Sequence, residues 1–135
     1  MSEQNKAVVR RYVEGLNEEN LAVFDEILAP DFANHSPRLG ISSREKTVND
    51  YALFFKAFSD LHRTIEDIFA EGDRVFLRTT VQGTHQDFVT GISIEPTGKN
   101  ITWAAWEVLR FEDGRIVERW AIHNFKDQVE AAARE

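Results

Sequence analysis

The spacing of apolar residues changes near residue 60, and this change constrains the fold more than any other feature of the chain. Before it, apolar residues recur every three to four positions, which predicts helices; after it, they alternate with polar residues, which predicts strands. The predicted elements are helices over 3–16, 18–28 and 43–58, strands over 62–70, 74–84, 100–111 and 115–124, and a short helix over 126–134. This order indicates an α+β fold in which three N-terminal helices cover a curved antiparallel sheet and leave a cavity between the layers.

Local signals mark the ends of the second and third helices. Pro30 is expected to end the second helix, because the residue before a proline avoids the helical region. Ser43 is expected to cap the third helix. Between them, 31–35 is predicted as a short extended piece, followed by a turn at Ser36-Pro37 and Gly40.

Composition restricts the possible functions. The chain has 135 residues, enough for a single domain over 1–135 with its own core. It contains no cysteine, which excludes disulfides, thiolate metal sites and a cysteine nucleophile. Lys and Arg total 16 against 23 for Asp and Glu, and this acidic balance argues against a nucleic-acid partner. We expect a cytoplasmic protein with no membrane partner, since neither a membrane span nor a signal peptide is apparent.

The last two predicted strands form a hairpin around Asp113-Gly114, a dipeptide typical of tight two-residue turns. A turn there pairs residues whose numbers sum to about 227, so that Glu107 faces Trp120. Because side chains alternate between the two faces of a sheet, one face would hold Trp103, Glu107, Glu118, Trp120 and Asn124, and the other Trp106, Arg119, Ala121 and His123. A bulge in either strand would change this assignment.

Glu107 is the candidate general acid or base of this hairpin. A carboxylic acid beside two tryptophans is poorly hydrated, and such a group can exchange protons near neutral pH. The alternative is that Glu107 or Glu118 forms an ion pair with arginine on a hydrated face.

The four histidines provide further candidates. His35 follows the extended piece and is expected at the cavity mouth as a base or hydrogen-bond donor, with a structural hydrogen bond as the alternative. His85 ends a strand just before the long segment 86–98, which is consistent with a pocket residue. His123 is expected to face away from the cavity unless the sheet bulges, and His62 is expected to be structural.

Motifs for metal or nucleotide binding are absent from the sequence. The histidines show no short ligand spacing of the kind seen in zinc sites, and no glycine-rich phosphate loop or Gly-x-Ser-x-Gly turn is present. We therefore expect no metal and no serine nucleophile.

Aromatic residues are expected to line the cavity. Phe54 and Phe58 lie on the aromatic face of the third helix, which is typical of a core and is also expected to roof an apolar pocket. With them, Trp103, Trp120 and His123 are the predicted substrate contacts.

Several short segments, spread in order along nearly the whole chain, together match the pattern of a known family. They are Asp31-Phe32 with His35 and Pro37; Phe58-Ser59-Asp60-Leu61-His62; Glu71-Gly72-Asp73-Arg74-Val75 with Arg78; Gly83-Thr84-His85; Pro96-Thr97-Gly98; and the run from Arg110 to Trp120. Their ordered set resembles the SnoaL-like polyketide cyclase family, also called ester cyclases, of the nuclear-transport-factor-2-like superfamily.

The resemblance implies a cone-shaped α+β barrel with a deep apolar pocket, usually a homodimer through the outer face of the sheet. It implies ring closure of a polyketide ester by an intramolecular aldol reaction without a cofactor, with a small apolar carbonyl compound as ligand. That chemistry requires a carboxylate base and donors for the enolate. Trp106, Val108 and Val117 are the apolar residues expected on the dimer face.

The sequence departs from the family pattern at the end of the last strand. The family typically has one aspartate directly after the tryptophan and another four positions after it, where this chain has Ala121 and Asn124. Asn124 can orient a substrate by hydrogen bonding but cannot abstract a proton. The role of the base is therefore expected to pass to Glu107 or to a histidine. The alternative is a non-catalytic small-molecule-binding or interaction module of the same fold.

Overall fold

A six-stranded sheet organises the computed structural model, which describes residues 2–36, 40–89 and 91–135. In chain order its elements are α1 (Ser2–Asn17), a 3₁₀ turn (Leu21–Val23), α2 (Phe24–Ile27), β1 (Leu28–Ser36), β2 (Gly40–Ser43), α3 (Arg44–Ala57), β3 (His62–Glu71), β4 (Arg74–Thr84), β5 (Asn100–Glu112), β6 (Arg115–His123) and α4 (Phe125–Arg134). The strand order is β2-β1-β6-β5-β4-β3, so β2 and β3 are the edges of an open sheet.

The helices cover one face of this sheet. In α1 a stripe of buried residues, Val9, Tyr12, Val13 and Leu16, packs toward β3 and β4. The strand β4 supplies the matching alternation, with every second residue from Val75 to Val81 buried. The helix α3 packs against β1 and β2, and α4 against β5. The predicted α+β fold, with helices enclosing a pocket against one face of a sheet, is confirmed, and the sheet formed by the described residues is open and does not close into a barrel.

Two features near the start of the chain differ from the prediction. The second helix is reduced to a 3₁₀ turn and the four residues of α2, because β1 already begins at Leu28. Pro30 lies near the start of this strand, where a proline is tolerated. The predicted extended piece 31–35 is part of β1, which pairs in parallel with β6 and makes the sheet mixed rather than wholly antiparallel. The predicted turn at Pro37 lies outside the described residues.

Other local predictions are confirmed. Ser43 caps α3, since its hydroxyl oxygen accepts a hydrogen bond from the Lys46 amide at 3.2 Å. The hairpin turn places Asp113 and Gly114 at positive φ, as a two-residue turn of this kind requires. Within the described part of 86–98, no helix or strand forms.

The register of the β5–β6 hairpin corrects the predicted assignment of faces. Glu107 pairs with Ala121, not Trp120, because a bulge between Arg110 and Phe111 admits Val117 as an extra residue in β6. The face toward the helices therefore carries Trp103, Glu107, Arg119, Ala121 and His123, and the outer face carries Trp106, Glu118, Trp120 and Ile122. Val117 is buried at the bulge and is absent from the outer face on which it was expected.

Asn17, the last residue of α1, satisfies the open edge of β3. Its side-chain Oδ1 accepts from the Arg63 amide at 2.7 Å, and its Nδ2 donates to the Arg63 carbonyl at 3.0 Å. These two bonds replace the strand partner that an edge residue lacks, and they fix Arg63 relative to α1.

We expect Asn17→Ala to lower the free energy of unfolding by roughly 1–3 kcal/mol, because both backbone groups of Arg63 lose their partner. Urea denaturation measures this change. The control is Asn20→Ala, which removes an exposed amide that caps nothing and should change stability by less than about 0.5 kcal/mol. Equal stability of the two variants would contradict the proposed role of Asn17.

Candidate active site

A cavity of about 100 Å³ lies between the helices and the sheet. Side chains reach it from α1, α3 and α4 and from all six strands. One wall is aromatic, with Phe54 and Trp103 at a ring-centroid distance of 6.0 Å and Trp103 and Phe125 at 4.6 Å. Other lining residues are polar or ionisable, among them Glu107 and Arg119. The cavity thus joins an apolar binding surface to a cluster of charge.

An ion pair between Glu107 and Arg119 forms the centre of this cluster. The Arg119 Nε donates to Glu107 Oε1 at 2.5 Å, and the two side chains are 13% and 4% exposed. The bulge in β6 makes the pair possible, because it rotates Arg119 onto the face that carries Glu107. The Tyr12 hydroxyl also donates to Glu107 Oε1, at 3.3 Å. Within the described part of the chain, both hydrogen bonds to this carboxylate reach the same oxygen.

Two tyrosines extend the network toward the helices. The hydroxyls of Tyr12 and Tyr51 lie 2.7 Å apart. Burial raises the pKa of Tyr12 well above its ordinary value and also raises the pKa of Tyr51. Both phenols therefore remain protonated at neutral pH and act as hydrogen-bond donors.

Asn34 holds the other end of the Arg119 guanidinium. Its Oδ1 accepts from Arg119 Nη1 at 2.8 Å, and its Nδ2 donates to Thr47 Oγ1 at 3.3 Å. The parallel pairing of β1 with β6 places Asn34 opposite Arg119. Burial alone would lower the pKa of Arg119, but the neighbouring Glu107 raises it well above its ordinary value. This guanidinium is a fixed positive charge.

Four of the predicted site residues line the cavity: Phe54, Trp103, Glu107 and His123. His123 enters because the sheet bulges, the condition under which it was expected to do so. The partner of Glu107 is an arginine, as the alternative interpretation proposed, but the pair is buried rather than hydrated.

His35 and Trp120 lie on the outer face of the sheet, away from the cavity. Their rings stack at 5.1 Å, and His35 Nε2 contacts Glu118 Oε2 at 2.8 Å. Hydrogen bonds from His35 and Arg110 hold the pKa of Glu118 below its ordinary value. His35 and Trp120 both border an outer groove of about 430 Å³.

The remaining three predicted residues take positions behind or beside the cavity. Phe58 is fully buried in the core, and its ring stacks on His85 at 5.4 Å. Asn124 precedes α4 on the surface, where its Oδ1 accepts from the Ala104 amide at 2.9 Å. Neither these residues nor His85 line the cavity.

Four residues that line the cavity are not among the predicted site residues: Tyr12, Asn34, Tyr51 and Arg63. A signal existed for Tyr12 and Tyr51, since each lies in an apolar stripe and a buried tyrosine hydroxyl needs a partner. A signal also existed for Arg63, which shares the inward parity of Ile65 in β3.

A model of the SnoaL-like polyketide cyclase family matches residues 6–131. The chain belongs to this family. Among curated proteins, none matches the chain significantly.

Solved structures similar to this SnoaL-like protein support the same assignment. AclR of Streptomyces galilaeus, a proposed hydroxylase, is 32% identical with a TM-score of 0.86, over 100% of this chain and 99% of that chain. IdmH of Streptomyces antibioticus, a proposed polyketide cyclase, is 27% identical with a TM-score of 0.84, over 98% and 99%. A SnoaL-like protein from Jannaschia sp. CCS1 shares the fold at 20% identity, with a TM-score of 0.86 over 98% and 92%.

Two negative findings concern the described residues of this SnoaL-like protein. No three His, Asp or Glu side chains among them converge as a set of metal ligands. None of the described helices is long and apolar enough to cross a membrane.

His85 is held as a neutral imidazole at the start of the 86–98 segment. The Thr97 amide donates to its Nδ1 at 3.2 Å, which requires that nitrogen to be unprotonated. Burial lowers the pKa of His85 below its ordinary value. Between about pH 6.5 and this lowered pKa, the unfolded chain therefore binds a proton at His85 that the folded chain does not bind.

We expect the free energy of unfolding to fall as the pH is lowered below about 6.5 toward the lowered pKa of His85, and His85→Gln to lose this part of the pH dependence. Urea denaturation at several pH values measures it. His62→Gln, at an exposed histidine, is the matched control and should keep the wild-type slope. An unchanged slope in His85→Gln would contradict the assignment.

Proposed function

We propose that this SnoaL-like protein is a cofactor-independent enzyme that abstracts a proton next to a carbonyl group of a small, mostly apolar substrate. Ring closure or isomerisation of the substrate follows. The supporting observation is the asymmetric environment of Glu107, whose Oε1 accepts from both Arg119 and Tyr12. The second oxygen is therefore the one available to a substrate, and the carboxylate is already oriented for proton transfer.

Arg119 provides the charge balance for this step. While Glu107 is ionised, its charge is compensated by Arg119. When Glu107 Oε2 takes the proton, the pair loses its negative charge, and the enolate oxygen of the substrate becomes the new counter-charge to Arg119. In an aldol closure the enolate carbon then bonds to a second carbonyl carbon, and the resulting alkoxide recovers the proton from Glu107. No oxidant or reductant is required.

The aromatic wall supports the choice of substrate class. Phe54, Trp103 and Phe125 offer ring faces to an apolar or aromatic body, while the reacting carbonyl meets the charged part of the cavity. The volume of about 100 Å³ is below the roughly 300–1,000 Å³ of most ligand pockets. A compact substrate is therefore favoured over an extended polyketide.

The similarity to AclR supports a second candidate function, hydroxylation of the same class of substrate. That reaction requires an oxygen donor such as O₂ and a reductant in addition to the substrate. The substitution of the family aspartates by Ala121 and Asn124 supports a third candidate, binding without turnover. The first two candidates differ in the mass of the product, and the third gives no product.

The test is incubation with a panel of small aromatic and polyketide-like ketones and esters, followed by chromatographic separation and mass spectrometry, so that a product isomeric with its substrate is detected by its retention time. We expect a product of unchanged mass, and Glu107→Gln should reduce its formation by about 10²–10⁴-fold because the amide cannot accept the proton. Glu66→Gln, at an exposed position in β3, is the matched control and should retain the rate. A gain of one oxygen would instead establish hydroxylation, and binding without product would leave only the binding module.

We also propose that the outer face of the sheet forms a homodimer interface. Large apolar side chains remain exposed there, with Trp106 at 48%, Ile122 at 65% and Phe69 at 59%. Phe76 packs edge-on against Trp106 at 6.0 Å and continues the surface toward Phe69. A contiguous apolar face of this kind is typical of a protein–protein contact.

Sedimentation analysis at micromolar concentration tests the interface. We expect a dimer, and Trp106→Glu should shift it to a monomer because a charge would be buried at the contact. Leu53→Glu places the same charge on an exposed leucine of α3 and should leave the dimer intact. A wild-type monomer would contradict the proposal.

A further inference from the structure

Arg63 lines the cavity with a positive charge and forms no ion pair with any of the described residues. Its side chain lines the cavity from the edge strand β3, and its Nη1 is buried without a hydrogen-bond partner in the part of the chain that the structure describes. None of the ion pairs formed by the described residues includes it. A buried polar nitrogen left without a partner is costly, and it therefore calls for an explanation.

The charges of the described residues around the cavity do not balance. Arg63 and Arg119 contribute two positive charges, whereas the carboxylate of Glu107 is bound to Arg119. The other acidic residue at the cavity, Asp50, forms an ion pair with Lys46 at 3.1 Å. Among the described residues, the guanidinium of Arg63 therefore has no ion-pair partner, and an anion brought by a ligand would supply one.

The backbone around Arg63 holds this arrangement in place. Asn17 bonds both the amide and the carbonyl of Arg63, and Arg63 pairs with Val81 of β4. An arginine on an edge strand has the length to extend its charge into solvent. Here its buried Nη1 is instead retained beside the polar part of the cavity.

We propose that Arg63 is a carboxylate-binding residue, and that the ligand of this cavity is a compact, mostly apolar carboxylic acid. The carboxylate accepts from Arg63 Nη1, and the apolar body lies against Phe54 and Trp103. A guanidinium recognises a carboxylate through short, charge-assisted hydrogen bonds, which gives both affinity and orientation. This inference rests on the proposed function and assigns the substrate class of that reaction. The substrate carries both the carbonyl group that reacts and a separate carboxylate that Arg63 binds.

The test is calorimetric titration of the wild-type protein with benzoate and with benzamide, a neutral compound of nearly the same shape. We expect benzoate to bind, benzamide to bind at least about tenfold more weakly, and Arg63→Gln to weaken benzoate by about tenfold or more while leaving benzamide unchanged. Arg11→Gln removes an equal charge from the exposed face of α1 and should leave both affinities unchanged. Equal affinity of benzoate for Arg63→Gln and wild type, or no benzoate binding at millimolar concentration, would overturn the proposal.

A second measurement separates a binding role from a structural one. Arg63→Met removes a partly buried charge that has no ion-pair partner among the described residues but keeps most of the apolar stem, so its melting temperature without ligand should equal or exceed that of the wild type. Benzoate should raise the melting temperature of the wild type and not that of Arg63→Met. A variant that is strongly destabilised without ligand would show that Arg63 is structural and would overturn the proposal.

The outcomes also separate this inference from the proposed function. Glu107→Gln should keep the benzoate affinity within a few-fold and lose turnover. Benzoate binding that depends on Arg63, together with no turnover of any substrate, would retain the carboxylate site and reject the enzyme. Turnover of neutral esters at equal rates by wild type and Arg63→Gln would retain the enzyme and reject the carboxylate site.

Discussion

The buried ion pair of Glu107 and Arg119 depends on hydrogen bonds from several of the elements around it. Two charges removed from water are stable only when their geometry is good and their remaining hydrogen-bonding groups are satisfied. Tyr12 satisfies part of the carboxylate, and Asn34 satisfies part of the guanidinium. Because these two residues lie on α1 and β1, the pair couples the helical layer to the sheet through polar contacts as well as through apolar packing. The site and the fold are therefore mutually dependent.

Much of the fold follows from local sequence signals. The periodicity of 3–16, the Ser43 cap and the Asp113-Gly114 turn each act over a few residues, and each gives the element expected of it. The strands β1 and β2 do not arise from such signals. The strand β1 pairs in parallel with β6, more than eighty positions away, and β2 has only four residues. Pairing at this distance depends on tertiary packing, which a single sequence does not display.

The site was less predictable than the fold because one inserted residue determines it. Alternation along each strand was correctly expected, but Val117 at the bulge shifts the strand pairing by one position. As a result Arg119, and not Trp120, lies beside Glu107. The carboxylate therefore forms an ion pair instead of lying in the predicted apolar environment. The local sequence gives no distinct sign of the bulge, since Ile116 and Val117 both fit a regular strand.

The pairing of β1 with β6 also links the two surfaces of the protein. Asn34 and His35 are consecutive, and their β6 partners, Arg119 and Trp120, are consecutive too. One residue of each pair faces the cavity, and its neighbour faces the outer groove. A substitution that moved the backbone at Trp120 would therefore displace Arg119 by a similar amount. The outer surface and the cavity of this protein therefore cannot diverge in sequence independently, because the same backbone segments of β1 and β6 position residues on both.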